Sequence, residues 1–167
     1  VYHTNMTGDW EIFRLGELPD GATGDPNLSR GVGERVFDIM PGFSPDRAWI
    51  TFVSNRDGNW EIYISAVESD QIQRVTYNSF AVELDPAWSP AGTQITYGSN
   101  RDGNWEIYLF DAATGTEQRL TTDPGNDTNP SWSPDGTRIL FESDRDGFWQ
   151  LYELEVSTGT MRAVSDS

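Results

Sequence analysis

The side chains best suited to chemistry in this sequence are carboxylates, several of which lie close together towards its end. Asp144 and Asp146 flank Arg145, and Asp123 and Asp127 lie in the stretch TTDPGNDTNP. Hard cations such as Ca²⁺ prefer such oxygen ligands. The D-x-D-x-D-G pattern of a calcium-binding loop is absent, however, and the arginine between two of the aspartates opposes a metal ion there. We therefore expect no cofactor, with calcium as the alternative.

The sequence shows no catalytic set. Its one histidine, His3, lies in the weakest copy of a repeat described below, and general-base catalysis needs partners in a defined geometry. The stretch GFSPD at 42–46 begins like a nucleophile elbow but lacks the second glycine, and no helical pattern follows it. The absence of cysteine excludes a thiol nucleophile, disulfides and zinc–thiolate sites. We therefore predict a protein that is not an enzyme.

The charge of the chain limits its partners. The 167 residues carry a net charge of −16, and all eleven basic residues are arginine. Such a chain offers no basic patch for phosphates, so we expect no nucleic-acid partner. No apolar run approaches the roughly 18 residues of a membrane span, so we expect no membrane insertion. The start at Val1 without methionine and the sequons at Asn5, Asn27 and Asn126 favour an exported protein, extracellular or periplasmic.

A polar segment of ten residues occurs four times. SNRDGNWEIY begins at Ser54 and again at Ser99, SDRDGFWQLY begins at Ser143, and TNMTGDWEIF begins at Thr4. Its tryptophan recurs at spacings of 50, 45 and 44 residues, as Trp10, Trp60, Trp105 and Trp149. A second landmark, of the type PSWSPDGT, places its aromatic residue at Phe43, Trp88 and Trp132. A period of about 45 residues with aromatic and turn signals indicates propeller blades.

Each repeat divides into four short strands with polar turns between them. The pattern predicts a hairpin at the Asp-Gly pair of the polar segment, with a type I′ turn, because Asp-Gly readily adopts positive φ. These pairs are Asp57-Gly58, Asp102-Gly103 and Asp146-Gly147. We expect the tryptophans of the segment to pack between blades. We also expect the arginines of the segment (Arg56, Arg101 and Arg145) to pair with its glutamate (Glu61 or Glu106) or with an acid of a neighbouring blade.

The two landmarks together resemble the TolB-like propeller repeat, a relative of the WD-repeat propellers. The residues that carry the resemblance are the turn WSPDG at 132–136 and the segment S-x-R-D-G-x-W-E-I-Y. The resemblance implies an all-β chain: a small β-propeller of four blades, each a four-stranded antiparallel sheet. The blades are expected at 1–37, 38–82, 83–126 and 127–167. The first is incomplete because it has no strand A, and its strand D is expected at 34–37.

The number of blades leaves three arrangements open. The chain closes on itself as a small four-bladed ring, two chains complete one eight-bladed ring, or the chain is part of a longer polypeptide. We favour the four-bladed ring. In each arrangement the first blade is imperfect, and an exposed strand edge invites pairing with another chain.

The favoured function is protein–protein contact, namely self-association into an exported oligomer, filament or tube. One alternative is a TolB-like periplasmic scaffold that binds a peptide or another envelope protein. The other is a module that binds carbohydrate or calcium. The candidate self-association residues lie at the chain start and in the long Gly/Pro/Asp loop at 16–34: Val1, Tyr2, His3, Thr4, Pro19, Asp20, Pro26 and Asn27.

Overall fold

The computed structural model describes residues 1–5, 9–13, 27–29, 35–69 and 71–164, and every regular element in these ranges is a β-strand. The strands form one two-stranded sheet and three four-stranded antiparallel sheets. This confirms the all-β propeller of four blades with an incomplete first blade. In the described part of the chain, no helix is long and apolar enough to cross a membrane.

Each sheet follows the chain order, so every strand pairs with the next one along the sequence. Sheet 1 contains β1 (Tyr2–Thr4) and β2 (Glu11–Phe13). Sheet 2 contains β3 (Asp38–Phe43), β4 (Trp49–Ser54), β5 (Glu61–Ala66) and β6 (Ile72–Arg74). Sheet 3 contains β7 (Glu83–Trp88), β8 (Gln94–Ser99), β9 (Glu106–Asp111) and β10 (Thr116–Arg119). Sheet 4 contains β11 (Asp127–Trp132), β12 (Arg138–Ser143), β13 (Gln150–Glu155) and β14 (Met161–Ala163).

The core lies between the sheets, and each junction between two sheets contains a pair of stacked rings and an isoleucine. In every four-stranded sheet two rings stack on the side facing the preceding sheet; Phe52 and Tyr63, for example, have centroids 5.7 Å apart. The isoleucine of the preceding polar segment, Ile12 at this junction, packs in the same buried cluster. Ile62 and Ile107 do the same at the next two junctions. Packing on both sides explains why the central strands are apolar on both faces.

The Asp-Gly turn forms where it was predicted, but its type differs. The Gly58 N–H donates to the Asn55 carbonyl at 3.0 Å, so Arg56 and Asp57 are the two central residues of the turn. Gly58 has a φ of +103°, whereas Asp57 is not among the residues with positive φ. The prediction of a type I′ turn was therefore wrong. The glycine occupies the last turn position, where it can adopt a φ that other residues avoid.

The third strand position of sheet 1 comes from an unexpected stretch. Phe13 forms a bridge with Asn27, and the Leu28 N–H donates to the Ile12 carbonyl at 2.7 Å. Val75 and Leu120 make the same bond in sheets 2 and 3. The prediction that 34–37 supplies strand D was therefore wrong, since Phe37 instead bonds to the Asn55 side chain ahead of β3.

Contacts between sheets run in chain order, from sheet 1 to sheet 2, then to sheet 3 and to sheet 4. Among the strands described, no contact of comparable extent joins sheet 4 to sheet 1. The four sheets thus form an open arc, and the favoured closure into a four-bladed ring is not seen. Both end sheets keep one face without a neighbouring sheet in this part of the chain.

Candidate functional site

The arginine of the polar segment is the centre of a network that occurs three times. The Arg56 guanidinium lies 4.9 Å from the Tyr63 ring centroid, its Nε donates to Ser54 Oγ at 3.0 Å, and its Nη2 lies 3.1 Å from both carboxylate oxygens of Asp38. Asp38 is the first residue of β3 in the same sheet and is completely buried. The corresponding pairs are Arg101–Glu83 at 3.1 Å and Arg145–Asp127 at 2.9 Å. The predicted pairing of these arginines with Glu61 and Glu106 was therefore wrong.

The glutamate of the segment has its own buried partners. Glu61 pairs with Arg74 at 2.7 Å and accepts from Thr76 Oγ1 at 2.5 Å and Asn59 Nδ2 at 2.8 Å. Sheet 3 repeats this arrangement with Glu106, Arg119, Thr121 and Asn104. In sheet 4 the position is Gln150, whose amide donates instead to Asp146. In sheets 2 and 3 the glutamate–arginine pairs join the third strand to the fourth, so they support the fold.

The aspartate of each Asp-Gly pair accepts a hydrogen bond from the tyrosine that ends the segment. The pairs are Tyr63–Asp57, Tyr108–Asp102 and Tyr152–Asp146. Burial, together with the bond to Asp57, raises the pKa of Tyr63. These bonds join the turn of each polar segment to the third strand of its sheet.

The four carboxylates considered for calcium are directed to protein partners. Asp144 accepts from the Asn126 N–H at 2.6 Å, Asp123 accepts from the Gly125 N–H at 3.0 Å, Asp127 belongs to the Arg145 pair, and Asp146 accepts from Gln150 Nε2 at 2.6 Å. In ranges 1–5, 9–13, 27–29, 35–69 and 71–164, no three His, Cys, Asp or Glu side chains gather where they could hold a metal ion.

The two catalytic candidates have structural surroundings. The His3 ring lies 5.1 Å from the Trp10 ring in an edge-on contact. Ser44 Oγ donates to Asp46 at 2.6 Å and accepts from the Trp49 N–H at 3.0 Å. The stretch at 42–46 thus contains the end of β3 and the start of the turn that leads to β4, and its serine bonds within that turn.

Glu83 differs from the other two buried acids of the arginine networks, Asp38 and Asp127, in its hydrogen bonding. It is completely buried, and its Oε1 accepts from Ser99 Oγ and Arg101 Nη2, both at 3.1 Å. Its other oxygen, Oε2, has no hydrogen-bond partner among the residues that the structure describes. Arg101 also pairs with Glu117 at 2.7 Å, so its charge is shared. Burial raises the pKa of Glu83 to about 7, because the neighbouring arginine offsets the lost hydration only in part.

An exposed aromatic pair lies on what we call the loop face. This face comprises the Asp-Gly turns and the connections between sheets, which lie at the same end because successive strands run antiparallel. Phe80 is fully exposed and Tyr77 is 71% exposed. Residues 77–81 and Arg101 line a surface cavity of about 400 Å³. Residues 77–82 are one residue longer than the matching connection at 122–126, and this extra length was the sequence signal for Phe80 that our sequence analysis missed.

The segment tryptophans differ in their surroundings. Trp60 packs beside the cluster that contains Ile62, with its ring centroid 6.4 Å from that of Phe37. Trp105 lies in van der Waals range of the position that a Gly98 side chain would occupy. Trp10 is 38% exposed and Trp149 is 55% exposed, and these two lie in the end sheets. The landmark residues Trp88 and Trp132 are partly buried, and no described residue accepts a hydrogen bond from their indole N–H groups, whereas Phe43 is 39% exposed.

The candidate self-association residues fall into two groups. Val1, Tyr2, His3 and Thr4 form or precede β1, where Tyr2 stacks on Phe13 with a centroid distance of 6.2 Å. Sheets 2, 3 and 4 have an equivalent aromatic pair, which packs against the preceding sheet. In sheet 1, in contrast, Tyr2 of this pair is 38% exposed. Asn27 forms the bridge to β2, whereas Pro19, Asp20 and Pro26 lie outside the described residues.

The outward face of sheet 4 carries charges where the inner sheets carry none. Glu153 pairs with Arg138 at 2.9 Å and with Arg162 at 2.8 Å, and Glu142 lies on the same face. Leu151, which matches the buried Ile107, is 38% exposed. Arg138, Glu142, Glu153 and Arg162 are therefore charged at positions where the strand register of the inner sheets has uncharged residues. In the same order, these residues are Trp49, Val53, Ile64 and Gln73 in sheet 2, and Gln94, Gly98, Leu109 and Gln118 in sheet 3.

Comparison with known proteins identifies the repeat. The sequence model of the TolB beta propeller domain matches residues 39–167. Comparison with curated proteins gives no match. The structure of TolB from Acinetobacter baumannii superposes with a TM-score of 0.72 and 29% identity, over 77% of this chain and 32% of that one. A structure described as TolB from Agrobacterium tumefaciens gives 0.74 and 30%, over 87% and 53%.

More distant structures share only the fold. A puromycin-hydrolyzing peptidase of Mycobacterium tuberculosis superposes with a TM-score of 0.64 and 16% identity, over 78% of this chain and 21% of that protein. This chain also spans only about a third to a half of the two TolB structures. The matched region covers most of the chain and includes both landmarks from sheet 2 onwards, so this chain belongs to the TolB β-propeller family.

Proposed function

We propose that this chain is a non-enzymatic propeller that binds a peptide or protein partner through its loop face, as an exported or periplasmic scaffold. The observation that carries the proposal is the exposure of Phe80 and Tyr77 beside a surface cavity. Large aromatic residues are favoured anchors in protein interfaces. The polar groups of the repeated segment, in contrast, bond to one another and hold the sheets together.

The setting of this pair supports binding to a protein rather than to nucleic acid. The Arg74 guanidinium lies 4.9 Å from the centroid of the Tyr77 ring, and this contact holds the ring in place. The family match and the net charge of −16 favour an envelope protein with uncharged or basic residues as the partner.

A site-specific crosslinker tests this proposal. A photoreactive residue at position 80 should capture one defined partner from an extract of the cell envelope. The same residue at Thr158, an exposed position in the turn between β13 and β14, is the matched control. Equal products from both positions would argue against the loop face. Replacing Tyr77 by serine should weaken capture at position 80 without changing thermal stability by more than a few degrees.

Self-association into an exported oligomer or filament is the second candidate. Exposed Tyr2 at one end of the arc and exposed Leu151 and Trp149 at the other favour it. The ion pairs around Glu153 oppose it, because packing another sheet there would remove these charges from water. Light scattering over a range of protein and salt concentrations tests this candidate, and a monomer under all conditions would exclude it.

A further inference from the structure

The connection between sheets 2 and 3 borders two cavities. The first is the cavity on the loop face. The second, also of about 400 Å³, lies between the two sheets and is lined in part by Val75, Phe110 and Glu117. Tyr77 and Asn78 line both cavities. The two cavities therefore adjoin one another across these two residues, and together they form a groove that begins on the loop face and continues between the sheets.

The matching connection between sheets 3 and 4 shows what is special about Asn78. In each connection, two carbonyls accept from an asparagine amide of the preceding polar segment; they belong to Asn78 and Ala81 in one, and to Asp123 and Gly125 in the other. Asn78 thus corresponds to Asp123. The Asp123 side chain accepts from the Gly125 N–H at 3.0 Å. The partly buried Asn78 side chain, in contrast, makes no hydrogen bond with any described residue.

A free side-chain amide in a groove is suited to binding a peptide backbone. An amide offers an acceptor oxygen and two donor hydrogens, and every non-proline residue of an extended chain offers the complementary N–H and C=O. The exposed rings of Tyr77 and Phe80 lie beside Asn78 along the connection. An extended segment that crosses Asn78 would therefore lie against these rings and reach the cavity between the sheets.

The cavity between the sheets combines an apolar lining with an acid that is only partly neutralised. Arg101 pairs with the buried Glu83 at 3.1 Å and with Glu117 at 2.7 Å, so one cation serves two carboxylates. The Glu117 side chain is 29% exposed. A partner's cation would find a carboxylate there, and the net charge of −16 adds to this attraction. Val75 and Phe110 suit an apolar side chain in the same cavity.

We propose that the partner of the loop face contributes an extended segment that crosses Asn78 and carries an apolar side chain and a basic one two positions apart. Side chains two positions apart lie on the same side of an extended chain, so both enter the cavity between sheets 2 and 3. The Asn78 amide bonds to the backbone of the segment, and Glu117 pairs with its basic residue. This inference rests on the proposed function, because it names the chemistry of the partner at the same surface.

Selection from a peptide library tests this inference. Random peptides of about twelve residues, displayed on phage, are selected on the intact chain at pH 8 and low salt. We expect the enriched peptides to share a large apolar residue with a lysine or arginine two positions from it. One enriched peptide is then synthesised with a fluorescent label, and fluorescence anisotropy gives its Kd for the parent chain and for each variant.

Three variants locate the bound peptide. Asn78→Ala should weaken binding about three- to tenfold, the equivalent of about one hydrogen bond. Glu117→Gln should weaken binding of the enriched peptide but not of the same peptide with methionine in place of its basic residue. Asp123→Ala, at the corresponding position of the other connection, is the matched control and should leave the Kd unchanged. Thermal unfolding of each variant checks that the fold is retained.

Failure of this inference is distinguishable from failure of the proposed function. A selection that enriches no peptide, enriched peptides without the shared pair of residues, or a Kd that neither Asn78→Ala nor Glu117→Gln changes would overturn the inference. If a crosslinker at position 80 still captures one defined envelope protein, the proposed function survives and the partner binds by a folded surface. Peptides that bind as expected, with no capture at position 80, would support the groove and count against an envelope protein as the partner.

Discussion

Replacing Glu83 by glutamine should remove one identifiable part of the pH dependence of stability. Glu83 is buried, one of its oxygens has no hydrogen-bond partner in the described part of the chain, and burial raises its pKa to about 7. In the unfolded chain this carboxyl has an ordinary pKa near 4.5. Between these two values the folded protein holds a proton that the unfolded chain releases. The contribution of this group to stability is therefore fully present below about pH 4.5, and it is lost as the pH rises through about 7.

The magnitude follows from the size of this pKa difference. One unit corresponds to about 1.36 kcal/mol, so the difference of roughly two and a half units amounts to about 3 kcal/mol. Other carboxylates act in the opposite direction: hydrogen bonds from Ser133 and Thr137 lower the pKa of Asp135 to about 2. The quantity to compare is therefore the free energy of unfolding of the parent chain minus that of Glu83→Gln, which cancels the contribution of the unchanged groups.

Urea unfolding at several pH values between 4 and 8.5 measures this difference. We expect the parent chain to lose about 3 kcal/mol relative to Glu83→Gln across that range. Glu83→Asp is the matched control, because Asp38 and Asp127 occupy the same position in the other sheets and each receives Arg Nη2 on both oxygens. We expect it to be more stable than the parent chain at pH 8. A difference that is flat, or that increases with pH, would refute the reasoning about Glu83.

Three further predictions use urea unfolding at pH 7. Arg145→Met should lower the free energy of unfolding by about 3–5 kcal/mol, because it leaves Asp127 buried and unpaired. Adding Asp127→Asn should recover much of this loss, and a double variant in which the two effects simply add would contradict the pairing. Ile107→Ala should lower the free energy of unfolding by about 2–5 kcal/mol, whereas Leu151→Ala, at the matching exposed position of sheet 4, should lower it by less than about 1 kcal/mol. Similar losses for the two variants would mean that the outward face of sheet 4 is covered. Gly125→Ala should cost about 1–3 kcal/mol, since its Cβ would lie 2.7 Å from backbone atoms of Arg145; an unchanged midpoint would show that this contact relaxes freely.

The repeat made much of the fold predictable from sequence alone. Four copies of one segment at nearly constant spacing predict four equivalent sheets, and the Asp-Gly pairs mark one turn in each of the three complete sheets. Each repeat was predicted to divide into four short strands, and sheets 2, 3 and 4 each contain four. The predictions succeed where the information is local, because the strands alternate and the turns use residues with narrow backbone preferences.

Apart from the type of the Asp-Gly turn, the wrong predictions concern contacts between residues that are distant in the sequence. The partner of Arg56 was sought five residues away, at Glu61, but the fold brings Asp38 to it from eighteen residues earlier. The last strand position of sheet 1 was assigned to 34–37 because ERVF resembles QRVT, yet hydrogen bonding selects Asn27–Ser29. The Ile12 N–H is buried once the sheet forms, so it needs an acceptor, and Ser29 supplies one. A similarity of four residues carries no information about this requirement.

The two ends of the arc differ in a way that bears on how this chain meets others. At the outward face of sheet 4, four positions that are uncharged in the inner sheets are charged, and Glu153 bridges two arginines there. Covering this face with another sheet would bury those charges, which opposes head-to-tail growth. In sheet 1 the arginine and the aspartate that precede the glycine in the other segments are replaced by Met6 and Thr7, and Tyr2 of the aromatic pair is 38% exposed. Contact through this aromatic pair alone ends after one partner is bound, so a discrete complex agrees with these residues better than a filament.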